Sequence, residues 1–181
     1  RTPGQFVEQA SLLLHEPAER LSAKAKARLG RDKHEDSVLA GRKILVIDDD
    51  IRNIFSLASA LEEYGVELSY AESGRAGLDV LDAQPDADVV LVDIMMPDMD
   101  GYETIREIRS RPGLADLPIV AVTAKAMKGD RQKCIQAGAS DYVSKPVDID
   151  HLVSVLRVSI QRAAAVKLAS DTVISLMPQA S

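Results

Sequence analysis

Reactive side chains stand at the ends of short apolar runs in this sequence. They are Asp48 and Asp49 after the run 44–47, Asp93 after 89–92, Thr123 after 119–122, and Lys145 two residues beyond 141–143. In a parallel α/β sheet, ligands gather beyond the carboxyl ends of the strands, near the point where the strand order reverses. Five polar side chains at corresponding strand ends therefore predict a single site.

The charges of this set indicate phosphoryl-transfer chemistry assisted by a metal ion. Three carboxylates within a few Å repel by about 4 kcal/mol per pair at an effective dielectric near 20, so either one is protonated or a cation lies among them. Magnesium fits best, because it prefers oxygen ligands and commonly bridges carboxylates to a phosphoryl oxygen. Asp93 would be the nucleophile, while Lys145 and the Thr123 hydroxyl would stabilise the other phosphoryl oxygens.

The elements that position these residues follow from the hydrophobic pattern. From Arg42 onward, apolar runs alternate with helical periodicity, which predicts a doubly wound α/β fold with a five-stranded parallel sheet covered by helices on both faces. The predicted strands are 44–47, 67–71, 89–92, 119–122 and 141–143. Helices are predicted between them, including 75–83 and 130–137, and a last helix is predicted to begin at a cap formed by Asp148.

The chain is predicted to contain one main domain with a segment on each side. The domain covers 41–162, preceded over 1–40 by a helical linker or the end of another domain, and followed over 163–181 by a C-terminal helix extension or tail. In the first segment, apolar residues between Phe6 and Leu14 fit one helix, and Pro17 would begin a second that ends at Gly30. The two helices share no unbroken heptad, so a coiled coil is not predicted.

Composition narrows the classes of function. At 181 residues, 46% of them hydrophobic, the chain can bury one α/β domain but not two full domains. Residues 41–181 hold 15 Lys and Arg against 22 Asp and Glu, so no nucleic-acid partner is expected. The single Cys134 excludes an intrachain disulfide. Without a long apolar run or a signal-peptide pattern, no membrane insertion is expected, and the chain is predicted to be a cytoplasmic fragment of a longer protein.

The residues at the strand ends resemble those of the receiver domain of two-component signalling. The family's acidic pair corresponds to Asp48 and Asp49, its phosphoacceptor to Asp93, its hydroxyl to Thr123, and its Lys-Pro pair, whose peptide bond is usually cis, to Lys145 and Pro146. The resemblance covers roughly two thirds of the chain and implies the flavodoxin-like fold of receivers. It also implies that Asp93 accepts a phosphoryl group from a phosphohistidine and that the new charge changes the conformation.

The same resemblance implies roles for further residues. The implied Mg²⁺ ligands are Asp49, Asp93 and the backbone carbonyl of Met95, with Asp48 acting mostly through water. Tyr142 matches the aromatic position that swings inward when Thr123 moves toward the phosphoryl group. The face made by the fourth and fifth strands with their helices would be reshaped by this movement, and it is also where a dimer could form.

The segments 93–102 and 123–131 resemble, more narrowly, receivers at the C-terminal end of hybrid sensor histidine kinases. The parent protein is therefore expected to be a bacterial hybrid kinase whose kinase core is missing from this chain. Expected partners are a histidine kinase core, in the same or another chain, and a histidine phosphotransfer protein. By itself the chain would be a phosphoacceptor, able at most to phosphorylate and dephosphorylate itself, so its classification as an enzyme stays open.

Two other functions fit part of the pattern. A pseudo-receiver would keep the fold as an interaction module without accepting phosphate, and the intact set of reactive residues argues against it. A phosphatase of the haloacid-dehalogenase type also uses an Asp nucleophile after its first strand, which would be Asp48. That family expects Thr or Val where Arg52 stands, and it leaves Asp93 without a role.

Overall fold

The computed structural model describes residues 38–124 and 128–176, which form alternating strands and helices. In chain order these are β1 (Lys43–Ile47), α1 (Ile51–Glu62), β2 (Glu67–Ala71), α2 (Gly74–Ala83), β3 (Val89–Asp93), α3 (Gly101–Ser110), β4 (Ile119–Thr123), α4 (Lys128–Ala137), β5 (Asp141–Ser144) and α5 (Ile149–Leu176). The two helices predicted before residue 31, and most of the linker after them, lie outside the described residues.

The strands form one parallel sheet in the order β2-β1-β3-β4-β5. The chain first adds β2 on one side of β1, then returns to place β3 on the other side and continues outward. The strand order therefore reverses between β1 and β3, whose carboxyl ends lie side by side. The predicted α/β class with a five-stranded parallel sheet is confirmed, and its switch point lies where Asp48 and Asp93 occur.

The central strands are buried because helices cover both faces of the sheet. β3 and β4 are buried along their whole lengths, and β1 is buried after Lys43, which matches their continuously apolar sequences. Successive side chains point to opposite faces, so Val90 belongs to the core on one face and Leu91 to the core on the other. The edge strands β2 and β5 are partly exposed.

Side-chain caps fix the start of the first three helices. Asp50 caps α1, Ser73 caps α2 and Asp100 caps α3, each accepting a hydrogen bond from a backbone N–H in the first turn, at 3.0, 3.2 and 2.8 Å respectively. Such caps satisfy N–H groups that have no partner within the helix. Two of the three follow β1 and β3, so the loops that carry the acidic residues are held at both ends.

The last helix is longer than the part of it that packs on the sheet. Buried residues recur along α5 as far as Ile160, and the helix continues to Leu176. It thus covers most of the segment expected to be a helix extension or tail. From Ala164 to Ala169 the side chains are exposed. Among the described helices, none combines the length and apolar character needed to cross a membrane.

Candidate functional site

Four strands bring the predicted reactive residues together at the carboxyl edge of the sheet. Asp48 follows β1, Asp93 ends β3, Thr123 ends β4, and Lys145 follows β5. Asp48, Asp93 and Thr123 are only 2%, 4% and 2% exposed. Burying polar groups is costly unless they are paired or hydrogen-bonded, so the contacts of these side chains explain how the fold accommodates them.

Lys145 is the cation that joins two of the carboxylates. Its Nζ lies 2.7 Å from Asp93 Oδ2 and 3.0 Å from Asp48 Oδ2. Burial by itself would lower the pKa of Lys145, but the hydrogen bonds and charges of Asp93 and Asp48 outweigh burial and raise the pKa above its usual value. Lys145 is therefore charged at neutral pH. Its backbone N–H donates to the Thr123 carbonyl at 2.8 Å, and its peptide bond to Pro146 is cis.

Asp48 accepts hydrogen bonds from three groups. Besides Lys145, the backbone N–H of Asp50 donates to Oδ1 at 2.9 Å, and Asn53 Nδ2 lies 3.1 and 3.3 Å from the two carboxylate oxygens. Asn53 was not predicted as a site residue from the sequence. A signal was present, because Asn53 stands five residues after Asp48 in the first turn of α1, from where its amide can reach back to the end of β1.

In the part of the chain that the structure describes, Asp93 has fewer hydrogen-bond donors than Asp48. Its Oδ1 accepts from the backbone N–H of Met95 at 3.1 Å, and its Oδ2 accepts from Lys145. A carboxylate has about four lone-pair positions, so both oxygens of Asp93 keep capacity for a metal ion or an electrophile. The Met95 side chain is 59% exposed.

Gly101 lets α3 begin directly against the strand that carries Asp93. A Cβ at this position would lie 2.2 Å from the carbonyl oxygen of Asp93 and 2.6 Å from the Cα of Ile94. Any side chain at residue 101 would therefore displace the backbone of the site.

An acidic cluster lies next to Lys145. Carboxylate oxygens of Asp48, Asp49 and Asp93 are all within 4.8 Å of one another, and of the three residues only Asp49 is exposed. Among the described residues, these three carboxylates lie beside one ammonium group, so acidic groups are in excess. Hard oxygen donors with this excess charge fit Mg²⁺, which is commonly held by one or two carboxylates and keeps several waters. Asp49 and Asp93 are the residues that would hold it, with Asp48 close by.

Asp50, the third acid of the run, is held by a different partner. Arg52 Nη2 lies 2.6 Å from Asp50 Oδ2. The side-chain and backbone hydrogen bonds from Arg52 lower the pKa of Asp50 to about 2. Asp50 therefore serves as the N-cap of α1 and as the partner of Arg52, which separates it from the cluster of three.

Tyr142 lies half-buried on β5, paired with Ala121 of β4. The guanidinium carbon of Arg131, on α4, lies 5.8 Å from the centroid of the Tyr142 ring, within the range of a cation–π interaction. The role of Tyr142 and Thr123 as switch residues stays a prediction.

Part of the chain matches a known protein family. The model for the response regulator receiver domain matches residues 44–157. Histidine kinase 3 of Arabidopsis thaliana is 34% identical over 136 residues, which cover 64% of this chain and 13% of that protein. Sensor histidine kinase CheAY of Helicobacter pylori is 36% identical over 121 residues, covering 65% of this chain and 15% of that protein. The chain thus spans only a small part of the length of these curated relatives.

A solved structure is similar over the same region. The receiver domain of a sensor histidine kinase from Pseudomonas aeruginosa is 34% identical, with a TM-score of 0.62, and the match covers 67% of this chain and 99% of that one. That structure has a magnesium ion coordinated in its active-site cleft. Since relatives come from plants as well as bacteria, the expected bacterial origin stays a prediction.

Proposed function

This chain belongs to the family of response regulator receiver domains of two-component signalling, and on that basis we propose that Asp93 is its phosphoacceptor and acts with Mg²⁺. The observation that carries the proposal is the position of Lys145, whose ammonium contacts both Asp93 and Asp48 beside the exposed Asp49. Among the described residues, three carboxylates lie beside this one ammonium group, and a site with more carboxylates than cations suits a divalent cation.

In the proposed step, a carboxylate oxygen of Asp93 attacks the phosphorus of a phosphohistidine. An O–P bond forms, the N–P bond breaks, and its electron pair stays on the imidazole nitrogen. Lys145 stabilises charge on a phosphoryl oxygen, and the Thr123 hydroxyl donates to another. Mg²⁺, when bound, neutralises charge on the phosphoryl group. Asp93 suits the nucleophilic role better than Asp48, because Asp48 already accepts from Asp50, Asn53 and Lys145.

The donor and the output are also part of the proposal. The relatives named above are histidine kinases, so we place this domain in a hybrid histidine kinase of the cytoplasm, exchanging phosphate with a kinase core and a histidine phosphotransfer protein. Phosphorylation would draw Thr123 and Tyr142 inward and reshape the face of β4 and β5, through which the domain could dimerise.

Labelling with a small phosphodonor tests the assignment. The chain is incubated with acetyl phosphate in Mg²⁺ or in chelator, and the intact mass is measured. We expect one phosphoryl group in Mg²⁺ only, and none on Asp93→Asn. Asp82→Asn, which removes an exposed carboxylate paired with Arg111, is the control and should be labelled normally.

Other outcomes would support the alternatives. A label that persists on Asp93→Asn and maps to Asp48 would indicate the haloacid-dehalogenase chemistry. A wild-type chain that is never labelled, although folded, would indicate a pseudo-receiver. We also expect Lys145→Ala to weaken labelling or its structural readout, and Asp49→Ala to weaken the Mg²⁺ affinity; an unchanged Mg²⁺ titration for Asp49→Ala would contradict the metal site.

A further inference from the structure

An exposed groove lies between α1 and the edge strand β2. Its volume is about 280 Å³, and it is lined on the helix by Phe55, Ala58 and Glu62 and on the other side by Val66, Leu68 and Tyr70. Phe55 is 63% exposed and Tyr70 is 52% exposed. The chain has only two Phe and four Tyr, so two of its six aromatic rings of these types line one open groove. Exposed aromatic side chains beside a concave apolar surface are typical of binding sites for other proteins.

The groove is separate from the phosphoacceptor site. Ile54 lies on the face of α1 that packs on the sheet. Asn53, which donates to Asp48, is one residue before Ile54, and Phe55 is one residue after it. Since successive residues are about 100° apart around a helix, Asn53 and Phe55 lie on opposite flanks of the buried face. A molecule in the groove would therefore leave the Asp93 site accessible.

The charged side chain that lines the groove among the described residues is acidic. It belongs to Glu62, and Glu63 and Glu72, close to the lining residues in the sequence, are also exposed. Glu67 lies instead in a pocket on the other face of β2, near Lys43. Arg52, the nearest preceding cation in the sequence, is paired with Asp50 at 2.6 Å. The groove thus has an aromatic and aliphatic floor within an acidic stretch of surface, and the complementary ligand is apolar on one face and basic at its margins.

We propose that this groove docks an amphipathic α-helix of a partner protein, with an apolar face flanked by Lys and Arg. From Phe55 to Glu62 the groove follows about 10 Å of α1, or two turns. This length matches a helix whose apolar anchors stand at positions i, i+3 or i+4, and i+7. A helix docked in this groove does not cover Asp93. The partner can therefore stay bound while Asp93 is phosphorylated.

Peptide titration of the full chain tests the proposal. The probe is a short synthetic helix with Leu at positions i, i+3, i+4 and i+7 and Lys elsewhere, and its matched control carries Glu in place of Lys. Amide shifts are followed by NMR. We expect the Lys peptide to shift amides of α1 and β2 near Phe55 and Tyr70, and the Glu peptide to bind much more weakly.

Variants distinguish the groove from other apolar surface. Phe55→Ala should weaken binding of the Lys peptide by at least about fivefold, and Glu62→Lys should weaken it and reduce its dependence on salt. Val158→Ala removes an exposed apolar side chain of α5 that is 42% exposed, and it should have no effect. Labelling of Phe55→Ala by acetyl phosphate at the wild-type level shows that the variant is folded.

Three results would overturn the proposal. They are equal binding of the Lys and Glu peptides, shifts centred away from α1 and β2, and an affinity that Phe55→Ala leaves unchanged. Sedimentation of the chain alone tests whether a second copy of the chain occupies the groove instead. A dimer that disappears in Phe55→Ala would mean that a second copy fills the groove, which would also refute the proposed partner. Failure of any of these experiments leaves the assignment of Asp93 untouched, because the Asp93 site is tested by labelling.

Discussion

Within 38–124 and 128–176, Lys145 is the cation in contact with the buried carboxylates, and replacing it with Met removes that charge while keeping most of the side-chain volume. At an effective dielectric of 20, contacts of 2.7 and 3.0 Å each correspond to about 6 kcal/mol of attraction, and two carboxylates within 4.8 Å of each other repel by at least about 3.5 kcal/mol. The side chain of Lys145 is 23% exposed, so water screens part of this. Removing one partner of a buried ion pair costs about 3 to 5 kcal/mol of stability. For Lys145→Met we expect the free energy of unfolding to fall by about 3 kcal/mol.

Unfolding measured in chelator and in Mg²⁺ tests this estimate. A loss of about 3 kcal/mol lowers the melting temperature by roughly 10 °C for a domain of this size. The substitution takes one positive charge away from the cluster of Asp48, Asp49 and Asp93. We therefore expect Mg²⁺ to bind Lys145→Met at least about tenfold more tightly, which adds about 1.4 kcal/mol to the stabilisation by saturating Mg²⁺.

The control for this experiment is Lys167→Met, which removes an exposed lysine of α5 and should unfold like the wild type in both buffers. If Lys145→Met is as stable as the wild type in chelator, the ammonium of Lys145 does not stabilise the buried carboxylates. If Mg²⁺ raises the melting temperature of both proteins by the same amount, the charge of Lys145 does not oppose Mg²⁺ binding. Either result would refute the prediction.

Three further predictions each test one feature of the fold. In urea unfolding, Gly101→Ala should lower the free energy of unfolding by more than about 2 kcal/mol, because the new Cβ would overlap the Asp93 carbonyl oxygen. The same variant should bind Mg²⁺ more weakly. The control Gly129→Ala, with nothing within 4 Å of its Cβ, should leave stability unchanged or raise it by up to about 1 kcal/mol. Cys134 is fully buried, and burial raises the pKa of its thiol. We therefore expect a thiol reagent at neutral pH to react with the native chain only as fast as the chain unfolds, and to react quickly in urea. Rapid reaction of the native chain would contradict this prediction. Ser73→Ala should cost about 1 kcal/mol of unfolding free energy through loss of the α2 cap, and an unchanged urea midpoint would show that the cap is dispensable.

The strands could be predicted closely because their signal is local. The run 89–92 was predicted as a strand, and β3 covers Val89–Asp93. Continuous apolar runs that end in acidic residues leave little ambiguity about where a buried strand ends. The grouping of Asp48, Asp93, Thr123 and Lys145 followed from that, since parallel strands end at one edge of the sheet.

Other features depend on which way a side chain faces, and a linear pattern does not determine that. Asn53 contacts Asp48 because α1 begins at Ile51 rather than one residue earlier or later, and a shift of one residue would rotate it by about 100°. Phe55 could be placed on α1 from the sequence, but its exposure depends on the edge position of β2. The sequence does indicate that α5 can continue past the sheet, because Ala163, Ala164 and Ala165 favour helix.

The long last helix has a mechanical consequence for signalling. Ile160 is the last buried residue among the α5 side chains that the structure describes, 149–169. The helix continues past it for 16 residues to Leu176, or about 24 Å at 1.5 Å per residue. A stiff rod of this length acts as a lever, since a tilt of about 5° at its base displaces its tip by roughly 2 Å. Small adjustments on the sheet would reach whatever contacts the tip as movements large enough to break or remake side-chain packing.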